Sequence, residues 1–244
     1  LNVNSLQPIA SKELPGEVKP LVDALNDLLE RLANAFTMQK HFIADAAHEL
    51  RTPVAALRIQ VELAQRATLD EDRQMSLSEL QTGVTRLTHL TQQLLTLARL
   101  EPDAQSPVMQ SVELSDLCKS VITDQVRRAE ASGIDLGLAE TTESSIPGDP
   151  ETLRILLNNL VDNAIRYAGA HARIDIAVRD TGQGVVLEVC DNGPGINAAE
   201  RERVLERFYR GNNQIGSGSG LGLSIVKTIA EQHGAQVVFF LEIG

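Results

Sequence analysis

A repeated apolar spacing of three and four residues restricts the fold of this chain more than any other feature. One stripe of this kind contains Ile43, Ala46, Leu50, Val54, Leu57, Val61 and Ala64. A second stripe, after a turn predicted at residues 68–72, contains Leu77, Leu80, Val84, Leu87, Leu94 and Ala98. Both predict amphipathic helices that pack against other helices. Because one helical hairpin cannot enclose a core, the spacing favours two hairpins joined as a homodimeric four-helix bundle.

The pattern changes beyond a polar segment with two prolines, residues 101–108, which we interpret as a domain boundary. Strands are predicted at residues 134–138, 172–179, 185–190 and 237–241. Helices are predicted at residues 115–131 and 221–233, and a third begins at Asp149 and Pro150, with Asp as its N-cap. A short charged helix is expected within the Gly-rich segment 192–219. Helices on one face of a mixed sheet form an α/β sandwich.

The composition excludes one class of function. Lys and Arg number 22 against 33 Asp and Glu, and at a net charge of −11 we expect no direct nucleic-acid binding. No run approaches the ~20 apolar residues of a transmembrane helix, and the chain begins at Leu1. We therefore expect a cytoplasmic piece of a longer protein. Cys118 and Cys190 lie in apolar contexts and are predicted to be buried thiols.

A histidine next to a carboxylate lies on the first predicted helix. At about 100° per residue, His48 points roughly 160° away from the apolar stripe, and Thr52 lies on the same outward side one turn later. A core histidine would lie on the stripe, so an exposed His48 is predicted. Pro53 removes a helix hydrogen bond to the carbonyl of Glu49, and a local bend is expected there.

Three polar or Gly-rich motifs follow in the second half of the chain. Asn159 and Asn163, spaced i, i+4, share a helix face and can bind a hydrated metal and phosphate oxygens. Asp191 follows a strand and precedes two glycines, which suits a buried carboxylate that accepts from an exocyclic amine. Residues 216–223 alternate glycine with other residues and run into a helix, which favours a polyphosphate site on backbone amides. A surface turn and a flexible linker are the simpler interpretations of the last two.

The order of these motifs resembles that of sensor histidine kinases of bacterial two-component systems. His-Glu-Leu-Arg-Thr-Pro at 48–53 is similar to their H box. The Asn pair, the glycines after Asp191, the segment 206–210 and the second Gly-rich segment are similar to their N, first glycine, F and second glycine boxes. The resemblance implies a multidomain α and α+β fold. It consists of a dimeric antiparallel four-helix bundle, one hairpin per chain, followed by an α/β sandwich of the Bergerat type shared with gyrase, Hsp90 and MutL.

The resemblance also implies a domain order. Residues 1–35 resemble the C-terminal part of a HAMP signal relay with its linker helix, although a coiled-coil extension is the alternative. Residues 36–101 would be the dimerisation and phosphotransfer hairpin, 102–110 a hinge linker, and 111–244 the catalytic ATP-binding domain with a lid at about 192–219. The family domain usually ends with a further strand, whereas this sequence stops at Gly244.

Roles transfer residue by residue from the resemblance. His48 would be the phospho-acceptor, Glu49 the general base, and Thr52 the residue that positions water for phosphatase activity. Asn159 and Asn163 would also hold Mg²⁺. The residues expected to bind ATP are Asn159, Asn163, Arg166, Tyr167, Asp191, Gly193, Gly195, Ile196, Arg210, Gly218, Ser219, Gly220, Leu221, Gly222 and Leu223. Arg166 stands where many relatives have Lys, which keeps the cation but changes its geometry.

The implied activity is ATP-dependent autophosphorylation of His48 and transfer to an aspartate of a response regulator, with dephosphorylation of that regulator as a second activity. The implied partners are a second copy of the chain and a winged-helix regulator, and the implied setting is the cytoplasmic side of a bacterial inner membrane. Two alternatives stay open: a conformational ATPase of the gyrase–Hsp90 type, which has no acceptor histidine, and a non-catalytic dimerisation module.

Overall fold

The computed structural model describes Ile9 and residues 18–100, 109–211 and 218–240. The chain divides into two compact units, Leu1–Thr88 and His89–Gly244. The predicted hinge at 102–110 lies largely outside the described residues, as do Leu241 and the part of the lid at 212–217.

The first unit is a hairpin of two helices, α1 (Lys19–Arg66) and α2 (Asp70–Arg99), of which α2 extends into the second unit. α1 continues through Pro53 without interruption. The connection is shorter than the predicted turn, because Asp70 and the next two acidic residues already form the first turn of α2, where they favour the positive end of the helix dipole.

The apolar stripe of α1 divides into two parts. Ala46, Leu50, Leu57 and Ala64 are half-buried. Gly83 of α2 allows a close approach, since a Cβ there would lie 2.7 Å from Cδ2 of Leu57. The other part is exposed, with Ile43 at 60%, Val54 at 51% and Val61 at 40%. An exposed apolar stripe of this kind is what a second hairpin would cover.

The second unit is an α/β sandwich. Its helices are α3 (Leu114–Ala131), α4 (Pro150–Tyr167) and α5 (Gly222–Gln232). Its strands are β1 (Gln110–Glu113), β2 (Asp135–Thr141), β3 (Ser145–Gly148), β4 (Arg173–Asp180) and β5 (Val185–Asp191). The main sheet has the order β2-β4-β5, in which β2 is parallel and β5 antiparallel to β4. The predicted fold class, a helical hairpin followed by an α/β sandwich, is confirmed.

The core of this unit lies between the sheet and the helices. Ile174, Ile176 and Val178 alternate along β4, and all three have 0% exposure. They meet Val121 of α3 and Leu157 of α4 in one cluster. α4 starts as predicted, because the Asp149 carboxylate accepts the backbone N–H of Glu151 at 3.0 Å and Pro150 occupies the first turn.

Several local predictions are wrong. Residues 237–240 form no strand, although all four are β-branched or aromatic, because β-propensity alone does not provide a partner edge. The short charged helix is replaced by two 3₁₀ turns, Ala198–Glu200 and Arg203–Leu205. The small antiparallel pair of β1 and β3 has no counterpart in the prediction.

The two cysteines differ from each other. Cys118 on α3 is fully buried, and burial raises the pKa of its thiol to about 11. Cys190 is exposed, so the prediction of a buried thiol is wrong there. It follows Val189 on β5, and successive strand residues point to opposite faces of the sheet. Only the Val189 face packs on the core.

Candidate functional site

The predicted phospho-acceptor segment lies on α1. His48 and Thr52 are exposed, and Glu49 is half-buried. The predicted exposure of His48 is confirmed. These three residues belong to the first unit, and every predicted ATP-binding residue belongs to the second.

The two carboxamides of α4 lie against the first turn of α5. A Cβ on Gly222 would lie 3.2 Å from Oδ1 of Asn159 and 3.6 Å from Oδ1 of Asn163. The backbone at the start of α5 therefore lies against both carboxamides, and the contact with Asn159 is tight. Free backbone N–H groups at a helix start attract anions, and carboxamide oxygens suit a hard cation. The site thus combines groups for an anion and a cation.

The loop before α5 lies on the C-terminal end of α4. A Cβ on Gly218 would lie 2.8 Å from Nη1 of Arg166 and 3.2 Å from Oη of Tyr167. The structure therefore brings a cation, a half-exposed aromatic side chain and the glycine loop together. Leu221, the next apolar residue, has 0% exposure, so its side chain belongs to the core rather than to the surface of the site.

Asp191 ends β5 and turns the chain into the first glycine segment. Its Oδ1 accepts the backbone N–H of Gly193 at 2.9 Å. Gly193 packs closely here, because a Cβ would lie 2.7 Å from Cα of Ala168. The carboxyl group itself is exposed, so the prediction of a buried carboxylate is wrong. Gly195 follows in the left-handed region at φ 68°, and Ile196 is half-buried.

The segment 206–210 packs on the second glycine loop through its backbone. The N–H of Phe208 donates to the carbonyl of Gly220 at 3.0 Å. Both residues have positive φ, 62° and 71° respectively. Tyr209 donates to Oε1 of Glu200 at 3.1 Å and lies under the guanidinium of Arg203 at 4.4 Å. Burial and the Glu200 carboxylate raise the pKa of this phenol. Arg210 is exposed at the end of the segment.

The last turns of α2 add residues that sequence analysis did not identify. Nε2 of Gln93 donates to Oδ1 of Asn159 at 3.3 Å, and its Oε1 accepts from Oγ of Ser219 at 2.6 Å. On α4, the carboxylate of Asp162 lies 3.6 Å from Nε2 of His89 and also accepts a hydrogen bond from Arg128. Burial alone would raise the pKa of Asp162, but these partners hold it below its usual range. No sequence motif marks Gln93, because its partners are 66 and 126 residues away.

The chemistry of the site fits a nucleotide and its metal. Among the described residues no group of three His, Cys, Asp or Glu could hold a metal ion. The carboxamide oxygens of Asn159 and Asn163 are of the kind that a hard cation such as Mg²⁺ accepts as ligands beside phosphate oxygens. In the same residues no helix combines the length and the apolar character needed to span a membrane.

Comparison with known proteins agrees with this arrangement. Residues 38–103 match the His Kinase A (phospho-acceptor) domain, and residues 148–242 match the histidine kinase-, DNA gyrase B- and HSP90-like ATPase family. Sensor protein QseC of Salmonella typhi is 40% identical over 234 residues, which are 95% of this chain and 51% of QseC. Sensor protein kinase PmrB of Pseudomonas aeruginosa is 40% identical over 229 residues, 93% of this chain and 48% of PmrB.

The chain thus spans about half the length of these relatives. Among solved structures, the Acinetobacter baumannii histidine kinase AdeS matches with a TM-score of 0.60 and 24% identity, over 76% of this chain and 86% of that one, which supports the fold. The two family matches occur in the order that the sequence motifs predicted, and together they include His48, both Asn residues and both glycine segments. The chain belongs to the sensor histidine kinase family.

Proposed function

We propose that this chain transfers the γ-phosphoryl group of ATP to His48 and then to an aspartate of a response regulator. The observation that supports this most strongly is the approach of Gly222 to Asn159 and Asn163, where an anion site and two carboxamides meet. A gyrase–Hsp90-type ATPase would need the same nucleotide site. It would not need the exposed His48, which is the first residue of the segment that resembles the H box.

Each group at the acceptor has a defined role in the proposal. Nε2 of His48 forms the new bond to phosphorus as the bond between phosphorus and the ADP oxygen breaks. Glu49 accepts the proton from Nδ1, which keeps the imidazole nucleophilic. Its position next to His48 on α1 and its half-buried side chain suit that role. The phosphoryl group then leaves Nε2 for a regulator carboxylate.

At the nucleotide site, Asn159 and Asn163 would hold Mg²⁺ and phosphate oxygens, and Asp191 would accept from the adenine amine. Arg166 and Arg210 would act on the phosphates, and Tyr167 would flank the nucleotide. The backbones of Gly193, Gly195, Gly218 and Gly220 would allow close approach, with Ile196, Ser219, Leu221 and Leu223 completing the walls. Bound Mg²⁺ would offset negative charge in a loose phosphoryl-transfer transition state.

A second activity, dephosphorylation of the regulator, is proposed from Thr52. This hydroxyl is exposed one helical turn after His48, where it could orient a water molecule toward a docked acyl phosphate. We expect Thr52→Ala to slow regulator dephosphorylation while autophosphorylation continues. Equal loss of both activities would contradict this role.

The proposed partners follow from the exposed stripe and from the family. Two copies would form the four-helix bundle, and the regulator would be of the winged-helix type. The relatives are named sensor proteins and are about twice as long as this chain. We therefore propose that the whole protein is anchored in a bacterial inner membrane, with a HAMP relay at residues 1–35 and this chain on the cytoplasmic side.

The test is incubation with γ-labelled ATP and Mg²⁺. We expect label that is labile in acid and stable in alkali, lost in both His48→Ala and Asn163→Ala. His41→Ala is the matched control, because His41 is also exposed on α1 and should leave labelling unchanged. ATP turnover without protein label would favour the conformational ATPase, and absence of nucleotide binding would favour a non-catalytic module.

A further inference from the structure

Apolar side chains at the C-terminal end of α2 are buried in the second unit. Leu97 has 1% exposure and Leu100 has 6%. Nε2 of Gln232, at the end of α5, donates to the carbonyl of Leu100 at 2.8 Å. These contacts hold residues 89–100 beside α4 and α5, the two helices that form the nucleotide site.

Gln93 uses both ends of its carboxamide within this contact. Nε2 donates to Oδ1 of Asn159 at 3.3 Å, and Oε1 accepts from Oγ of Ser219 at 2.6 Å. Ser219 in turn accepts the backbone N–H of Leu221 at 3.2 Å. One side chain of α2 therefore joins the Asn helix to the loop that leads into α5.

These bonds engage the groups that a nucleotide would need. The Nδ2 group of Asn159 donates to the carbonyl of Ile155 at 2.8 Å, so Gln93 occupies the oxygen at the other end of the carboxamide. The hydroxyl of Ser219 is directed to Gln93 rather than to a phosphate. Mg²⁺–nucleotide and Gln93 would therefore compete for the same two side chains.

We propose that Gln93 is a latch that engages Asn159 and Ser219 until nucleotide binds, so that Mg²⁺–nucleotide binding releases the end of α2. This inference rests on the proposed function, because it assumes that Asn159 and Ser219 bind the nucleotide. A site that binds only when unlatched has an apparent affinity reduced by the fraction of time it is open. Coupling is reciprocal, so a movement of α2 that withdraws Gln93 raises nucleotide affinity.

The test measures the dissociation constants of Mg²⁺–ADP and of a non-hydrolysable Mg²⁺–ATP analogue by calorimetry on the whole chain. Gln93→Ala removes the latch, and Gln93→Met keeps the length of the side chain but neither donates nor accepts a hydrogen bond. Loss of one or two neutral hydrogen bonds should tighten binding about three- to tenfold in both variants. Gln81→Ala is the matched control, because Gln81 is an exposed glutamine on α2 in the first unit and its removal should leave nucleotide affinity unchanged.

A second measurement needs no nucleotide. Without the latch, the backbone amides of residues 219–222 should exchange with solvent faster in both Gln93 variants than in the parent and the Gln81→Ala control. Unchanged or weaker nucleotide binding in the Gln93 variants, with normal binding by the parent, would overturn the latch and leave the nucleotide site intact. Absence of binding in every protein, the parent included, would overturn the proposed function and the latch with it.

Discussion

At the scale of single residues, glycine is required where two backbone segments touch. Gly220 has φ 71°, and a Cβ there would lie 2.7 Å from the carbonyl carbon of Phe208 and 2.8 Å from the carbonyl oxygen of Tyr209. Gly234, after α5, has a similar φ of 67°, but a Cβ there would meet no atom within 4 Å. A comparison of these two positions separates the free-energy cost of a left-handed backbone from the free-energy cost of a steric clash.

We predict that Gly220→Ala lowers the free energy of unfolding more than Gly234→Ala. The control should lose about 1–2 kcal/mol from its backbone conformation alone. Gly220→Ala should lose a further ~1–3 kcal/mol, because its neighbours are backbone atoms that must shift together. Urea unfolding of both variants measures the difference, and equal losses would contradict the close contact.

Asp162 provides a prediction about pH. Its side chain is 16% exposed and meets Arg128 and His89, which hold its pKa below the usual range despite burial. A lowered native pKa stabilises the fold fully above the ordinary Asp pKa of about 3.9, and this stabilisation is lost as pH falls through the native value. Protonated Asp162 then resembles Asn.

The free-energy difference between the parent and Asp162→Asn should therefore be largest near neutral pH and shrink below about pH 4. Asp116→Asn is the control, since its carboxylate is 73% exposed and forms only a surface pair with Lys119 at 3.0 Å. Thermal unfolding across pH would show the trend. A difference that stays constant into acid would contradict the assigned ion pair.

The residues of the candidate site could be predicted from the sequence more fully than the contacts between their side chains. The spacing of Asn159 and Asn163 places both on one face of α4, and the structure brings that face to Gly222. Gln93 has no such signal, because its role depends on tertiary packing of α2. The exposure of Asp191 was mispredicted for a related reason: a strand end can face either the core or solvent.

At the scale of elements, the apolar stripe of α1 contributes residues to two surfaces of the hairpin, one packed against α2 and one exposed. Leu57 and its neighbours contact α2 near Gly83, whereas Val54 and Val61 remain exposed. The spacing of three and four residues predicted both helices, although α1 begins at Lys19, well before the first residue of its stripe at Ile43. The pairing of strands was harder to predict from the sequence. β1 and β3 pair over only four residues each, which are too few to leave a periodic signal.

We predict that Val54→Asp converts a dimer of this chain to monomer. A carboxylate in a desolvated helix interface loses hydration without a partner, which should weaken association at least about tenfold. Val186→Asp is the control, because this β5 residue is exposed by 41% but lies outside the hairpin. Sedimentation velocity measures both variants. Unchanged association of Val54→Asp would show that the exposed stripe does not form the dimer.

At the scale of the whole molecule, the proposed reaction needs one functional group from each of the two units. His48, the proposed nucleophile, is exposed on α1, and the proposed nucleotide site lies at α4, α5 and the two glycine loops of the second unit. Family membership supports both halves, since the phospho-acceptor match covers residues 38–103 and the ATPase match covers 148–242. We propose that the phosphoryl group of ATP is transferred to His48 and to no other histidine.

The most direct measurement is to locate that group after incubation with ATP and Mg²⁺, by peptide mapping with mass spectrometry under alkaline conditions. We predict a single phosphohistidine, at His48, and we expect it to be absent from the Asn163→Ala variant. Phosphate on His41 or His89 instead, or a His48 phosphate that persists in Asn163→Ala, would contradict it.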